Sequence, residues 1–144
     1  VNLIDPSGLL TDEQIANVVF NETRSLSGPN ISKARQNIAH AIINGDEALG
    51  DSRPRTAPTT ATPPSSECSA YQSIIADVSA VRSARANGID PTHGAIYFNF
   101  RNNDSQSQRF GFSLQTQVGP LNNSYTGGIL NTTGVYANTY GGMK

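Results

Sequence analysis

Glu22 is the acidic residue whose place in the sequence is least easily explained by simple hydration. It lies seven residues after Ile15 and four after Val18, a spacing that puts it on the apolar face of a helix. Burial and the negative C-terminal end of a helix both favour the protonated form of a carboxyl group. A carboxyl group that keeps its proton is suited to general acid catalysis near neutral pH. If the helix instead frays at Phe20, Glu22 is merely hydrated.

Tyr97 and Asn99 are candidate substrate-binding residues. They alternate with Ile96 and Phe98 in the best strand candidate, residues 95–100, so they share one face of that strand. An aromatic ring beside an amide is suited to holding a sugar ring, and ordinary strand packing is the alternative. Arg24 could pair with a carboxylate at the helix end or bind acidic groups of a substrate.

Cys68 and His93 form a second candidate site of a different chemical class. Cys68 falls near the start of a helix and His93 just before a strand, an order used by cell-wall cysteine peptidases. A small, half-buried cysteine is the plainer interpretation. The other histidine, His40, lies opposite the apolar face of its helix, so we expect it to be exposed.

The composition limits the classes of function. The chain has 144 residues, a net charge of −1 and one cysteine. This length predicts one domain, and a single cysteine excludes an internal disulfide. The net charge indicates no basic surface for nucleic acid. No window of sequence approaches the roughly 18 apolar residues of a membrane span. Because the chain carries no cofactor motif and no cysteine-rich zinc site, we expect neither a cofactor nor a metal.

Three amphipathic helices should position these candidates. The first begins at a capping box of Thr11 and Gln14 and fades near Arg24. The second covers about 32–44 and ends at Gly45, and the third covers about 66–87. Residues 110–114 are a weaker extended segment. The Pro/Thr-rich residues 46–66 are expected to form a surface loop, and the Gly/Asn/Thr/Tyr-rich tail, 119–144, has little to bury.

Two separate blocks resemble the SleB-type cell-wall hydrolases, and a third segment between them stands where that family has a helix. Residues 18–24 read V-V-F-N-E-T-R, similar to the family's V-V-Y-x-E-A-R, in which the glutamate is the catalytic acid. Residues 90–99 read D-P-T-H-G-A-I-Y-F-N, similar to D-P-T-G-G-A-L-Y-Y-Y-N, with His93 in place of the first glycine. Residues 37–44 read N-I-A-H-A-I-I-N and occupy the place of the helix V-A-A-V-I-L-N-R. The resemblance spans about 15–115, but residues 25–27 and 46–66 depart from it.

The resemblance implies a mainly α, α+β fold, with a lysozyme-like or lytic-transglycosylase-like helical domain and a small β element. It implies cleavage of the N-acetylmuramic acid–N-acetylglucosamine bond of peptidoglycan, with Glu22 as general acid and base. Asp46, Glu47 and Asp51 could supply a second carboxylate, although a hydrated acidic loop explains them better. Hydrolysis and transglycosylation both remain open.

Residues 2–9, N-L-I-D-P-S-G-L, resemble the motif that ends the core of Rhs-repeat proteins. A simple β-turn is the alternative. The resemblance implies that residues 1–9 end the Rhs core, with cleavage at Leu9-Leu10, and that 10–144 is a toxin domain. It also implies an Rhs shell, type VI secretion components, a cognate immunity protein and action in the periplasm of a target bacterium. Because toxins of this class include nucleases, a cytoplasmic nuclease is a further alternative.

Overall fold

The computed structural model describes residues 10–49, 68–100, 111–123 and 135–143, which form an α+β fold. The helices are α1 (Asp12–Thr23), α2 (Ile31–Leu49) and α3 (Cys68–Ala86). The strands are β1 (Leu26–Ser27), β2 (Tyr97–Phe100), β3 (Phe112–Asn123) and β4 (Val135–Met143). The expected Rhs junction, residues 1–9, and residues 50–66 of the expected loop lie outside the described residues. The first four residues of that loop, 46–49, are helical instead.

The predicted capping box begins α1. The Thr11 hydroxyl accepts a hydrogen bond from the Gln14 backbone N–H at 3.2 Å, and the Thr11 N–H donates to the Gln14 side chain at 3.0 Å. Two N–H groups that have no partner inside the helix are thereby satisfied. Asp12 and Glu13 follow in the first turn, where a negative charge is favourable.

One hydrophobic core joins the three helices. Each apolar side chain of this size that is fully buried contributes about 1.5–3 kcal/mol. The fully buried members from α1, α2 and α3 include Ile15, Val19, Ile38, Ile74 and Val78. Phe98 and Phe100 of β2 pack against the same core, so the sheet is attached to the helices through alternate residues of that strand.

Helix α2 continues past Gly45, so the expected stop at this glycine is wrong. Gly45 is buried inside the helix, which ends at Leu49. The next turn is held by tertiary contacts: the Asp46 carboxylate accepts a 2.7 Å hydrogen bond from the Leu10 N–H, and Glu47 pairs with Arg85 at 3.1 Å. A glycine costs a helix about 1 kcal/mol, which contacts of this kind outweigh.

The described parts of the tail, residues 119–123 and 135–143, belong to the sheet, which corrects the expectation that the tail has little to bury. The strand order is β1-β3-β4-β2, and all three pairings are antiparallel. Strand β4 therefore lies between β3 and β2, and its Ala137, Asn138, Thr139 and Tyr140 are buried. A second apolar cluster joins this sheet to α2 and consists of Leu26, Ala34, Val118, Leu121 and Ala137. Within the described ranges, no helix is long and apolar enough to cross a membrane.

Candidate active site

Glu22 lies in the last turn of α1, just before the chain enters the sheet at β1. It is half-buried, whereas its neighbour Thr23 is fully buried. The Thr23 hydroxyl donates to the Val19 carbonyl at 2.7 Å and accepts a long, 3.5 Å hydrogen bond from Arg35 Nε of α2. Packing against α2 therefore places Thr23 inward and leaves part of Glu22 open to solvent, in contrast to the expected burial of Glu22.

Arg24 and the Phe20 ring lie at the same end of α1, where Tyr71 of α3 packs against Phe20. The Arg24 guanidinium carbon is 5.5 Å from the centre of the Phe20 ring, a cation–π distance. The edge of Phe20 meets Tyr71 of α3 at 5.7 Å, and the Tyr71 hydroxyl donates to Asn17 at 2.7 Å. Burial, followed by the nearby charge of Glu13, raises the pKa of Tyr71. The end of α1 thus carries an acid, a cation and an aromatic surface.

Asp90 organises the segment between α3 and β2. Its carboxylate accepts hydrogen bonds from the Thr92 N–H at 2.9 Å, the Thr92 hydroxyl at 2.6 Å and the Gly94 N–H at 3.0 Å. Burial alone would raise the pKa of Asp90, but the hydrogen bonds from Thr92, Asn44 and Gly94 outweigh it and lower the pKa to about 2. Asp90 is therefore a structural anion.

Asn44 attaches that segment to α2. Its amide nitrogen lies 2.9 Å from Asp90 Oδ2, 2.9 Å from the Ala95 carbonyl and 3.3 Å from the Thr92 hydroxyl. These contacts fix the approach to β2, which begins two residues after Ala95. No local sequence pattern indicates the pairing of Asn44 with Asp90, although Asp-Pro-Thr is a turn signal that points to Asp90.

His40 is buried, with 2% of its surface exposed, so the expectation of an exposed histidine is wrong. Its Nδ1 lies 3.2 Å from Arg85 Nη1 and 3.5 Å from the Asp90 carboxylate. Burial lowers the pKa of His40, Asp90 opposes that shift, and Arg85 adds to it. Because His40 is enclosed, the buried face of α2 is wider than its sequence indicated.

Arg85 also pairs with Glu47, and a cleft of about 320 Å³ opens beside Glu47, Arg85 and Asp90.

Tyr97 and Asn99 lie together on β2, as the alternation predicts. Tyr97 stacks on Phe112 of β3 with ring centres 4.5 Å apart. The Asn99 side-chain oxygen accepts hydrogen bonds from Asn138 at 3.3 Å and from the Tyr140 hydroxyl at 3.4 Å. Since the intervening Phe98 packs on the helical core, these two side chains project from the other face of the strand.

The structure separates Cys68 from His93. Cys68 is exposed at the first residue of α3, and this 19-residue helix is about 27 Å long. The turn that contains His93 is held at the opposite end of α3, because Asp90 lies 3.7 Å from Arg85 and its carbonyl accepts from the His93 N–H. A cysteine–histidine pair needs direct hydrogen-bond contact, which this arrangement does not provide.

No protein-family model, no curated protein and no solved structure matches this chain. Among the described residues, no group of three or more His, Cys, Asp or Glu side chains is placed to hold a metal ion. The candidate residues lie in two places: Glu22 and Arg24 at the end of α1, and Tyr97 and Asn99 on the face of β2 that points away from the helical core.

Proposed function

We propose that this protein cleaves the glycan strands of peptidoglycan, with Glu22 as the general acid and base, and that it is the toxin domain of an Rhs-type effector. The observation that carries the proposal is the set of hydrogen bonds from Asn44 to Asp90 and Ala95. Asn44 and Asp90 belong to two different blocks of the resemblance to SleB-type hydrolases. The contact between these two segments is what we expect if both belong to one functional unit.

The position of Glu22 supports the role of a proton donor. It is half-buried in the last turn of α1, so a substrate can reach its side chain. In the proposed reaction, Glu22 protonates the glycosidic oxygen as the bond to N-acetylmuramic acid breaks through an oxocarbenium-like transition state. The muramic 6-hydroxyl then attacks the sugar carbon and returns its proton to Glu22, which yields an anhydro product. Attack by water would yield a reducing end instead.

A lysozyme-like arrangement is part of the proposal. Glu22 lies at the end of α1, which leads directly into strand β1 of the sheet, and α2 and α3 pack against α1. On the other face of β2, away from the helical core, Tyr97 and Asn99 would supply a separate aromatic and amide surface for sugar rings, and Arg24 would supply a cation two residues after Glu22. The peptidase alternative loses its support, because α3 separates Cys68 from His93.

The proposed biological setting follows from the resemblance of residues 2–9 to the end of an Rhs core. The domain would be delivered with its Rhs shell by a type VI secretion system and would act in the periplasm of the target bacterium. A cognate immunity protein would protect the producing cell.

The test is digestion of purified peptidoglycan followed by mass spectrometry of the released fragments. Glu22→Gln should keep its fold and lose at least the 10²–10⁴-fold rate typical of general acid catalysis. Glu13→Gln is the matched control, because Glu13 is an exposed glutamate in the first turn of the same helix. An anhydro product identifies a transglycosylase and a reducing end a hydrolase. Undiminished cleavage by Glu22→Gln contradicts the assignment of Glu22.

A further inference from the structure

Arg35 is a half-buried cation next to the turn that carries Glu22. It lies in the second turn of α2, and its Nε donates a long, 3.5 Å hydrogen bond to the hydroxyl of Thr23, the residue after Glu22. This contact places the guanidinium group at the junction of α1 and α2. The residue is neither fully enclosed nor freely hydrated.

The charge of Arg35 is less completely paired than that of the arginines of α3. Arg82 has the Asp12 carboxylate at 2.6 Å, and Arg85 has the Glu47 carboxylate at 3.1 Å. Among the described residues, no carboxylate lies within 4 Å of the Arg35 guanidinium. Its Nε contact with Thr23 leaves the two terminal nitrogens for another acceptor.

Asp77 of α3 is the acidic group that influences Arg35, but it is engaged elsewhere. Its carboxylate accepts hydrogen bonds from the Ser32 hydroxyl at 2.6 Å and from the Gln36 amide at 3.1 Å. Burial lowers the pKa of Arg35, and the charge of Asp77 only partly opposes that shift. A half-buried guanidinium that no described carboxylate contacts directly gains free energy from a carboxylate that can reach it.

We infer that the Arg35 guanidinium binds a carboxylate of the peptide stems on the glycan, so that the protein selects peptide-bearing strands over neutral amino-sugar polymers. The inference rests on the proposed function. The planar fork of a guanidinium matches a carboxylate through two parallel hydrogen bonds, which an ammonium group cannot reproduce. Stem peptides carry free carboxylates close to the muramic acid residue whose glycosidic bond is cleaved. Chitin oligosaccharides contain the same N-acetylglucosamine units and carry no carboxylate.

The experiment measures binding by titration calorimetry with Glu22→Gln protein, which leaves the probes uncut. The probes are a glycan tetrasaccharide with intact stem peptides, the same compound with its carboxylates amidated, and chitotetraose. Arg35→Gln should weaken binding of the first probe about tenfold or more, the loss expected for a charge-assisted hydrogen bond, and leave chitotetraose binding unchanged. Arg35→Lys should give an intermediate affinity for the first probe. Arg82→Gln is the matched control, because its ion pair lies at the other end of α1.

Unchanged binding of the stem-peptide probe by Arg35→Gln overturns the inference, and so does an equal loss for both unmodified probes. If Arg35→Gln does not fold, the test is made with the Glu22→Gln protein, in which Arg35 is intact. This protein should bind the probe with free stem-peptide carboxylates at least tenfold more tightly than the amidated probe. Equal affinities overturn the inference. The proposed function is tested by a different experiment, the digestion of peptidoglycan by wild-type protein. If wild-type protein does not cut peptidoglycan, the proposed function is wrong whatever the binding data show.

Discussion

Asn44 and Asp90 are 46 residues apart in the chain, and their side chains share a hydrogen bond of 2.9 Å. The same amide group also holds the Ala95 carbonyl at 2.9 Å. One side chain of α2 therefore fixes both ends of the turn that leads from α3 into β2.

Replacing Asn44 with alanine should lower the free energy of unfolding by about 1–3 kcal/mol, because a partly buried carbonyl and carboxylate lose a donor. Urea denaturation monitored by circular dichroism measures the change. Asn87→Ala is the control, since the exposed Asn87 amide donates only to Ser83 of its own helix; we expect a change within about 0.5 kcal/mol. Equal losses for the two variants would show that the Asn44 contacts contribute nothing particular.

The low pKa of Asp90 predicts a loss of stability in acid. Its pKa falls from 3.8 to about 2 on folding, so its contribution is complete above pH 4 and is lost as the pH falls toward 2. The shift corresponds to about 2 kcal/mol at neutral pH. Asp90→Asn should lose a similar amount at pH 7 and show a flatter stability profile between pH 4 and 2. An unchanged acid limb in this variant would contradict the prediction.

Burial of neutral His40 predicts a second, separate pH dependence. Because folding lowers its pKa below 6.5, the unfolded chain takes up a proton more readily than the folded chain as the pH falls. Stability from this residue is therefore complete above about pH 6.5 and decreases below it. Thermal unfolding between pH 7 and 5 should show this decrease in the wild type and a smaller one in His40→Gln. Parallel profiles would mean that another group titrates in this range.

His93 adopts a left-handed backbone conformation, with φ of 53°. The SleB-type pattern has glycine here, the residue that adopts such angles without strain. His93→Gly should therefore relieve this strain, although the more flexible unfolded chain of the glycine variant offsets part of the gain. We expect a net rise in the free energy of unfolding of up to about 1 kcal/mol. Denaturant titration measures the change, and a loss of stability would indicate that the imidazole makes a compensating contact.

Toxicity in cells tests the proposed compartment. Wild-type protein directed to the periplasm of a sensitive bacterium should lyse the cells, and the same protein kept in the cytoplasm should be tolerated. Periplasmic Glu22→Gln should be harmless, whereas Glu13→Gln should lyse cells like the wild type. Toxicity confined to the cytoplasm would favour the nuclease alternative.

The sequence alone determined the elements whose signals are local. The Thr11–Gln14 capping box, the apolar stripes of the three helices and the alternation in β2 each depend on residues a few positions apart. These signals predicted three helices, a strand at 95–100, which the structure shows at 97–100, and the shared face of Tyr97 and Asn99. They also predicted a mixed α+β fold.

Only the tertiary structure decided the features that depend on distant partners. Helix α2 passes Gly45 because Leu10 and Arg85 bind its last turns, and the polar tail becomes a central strand because β2 and β3 supply the hydrogen bonds on both its edges. His40 is buried where Arg85 and Asp90 approach its Nδ1, and Thr23 rather than Glu22 faces α2. In each case the deciding contact joins residues more than ten positions apart, which no local pattern records.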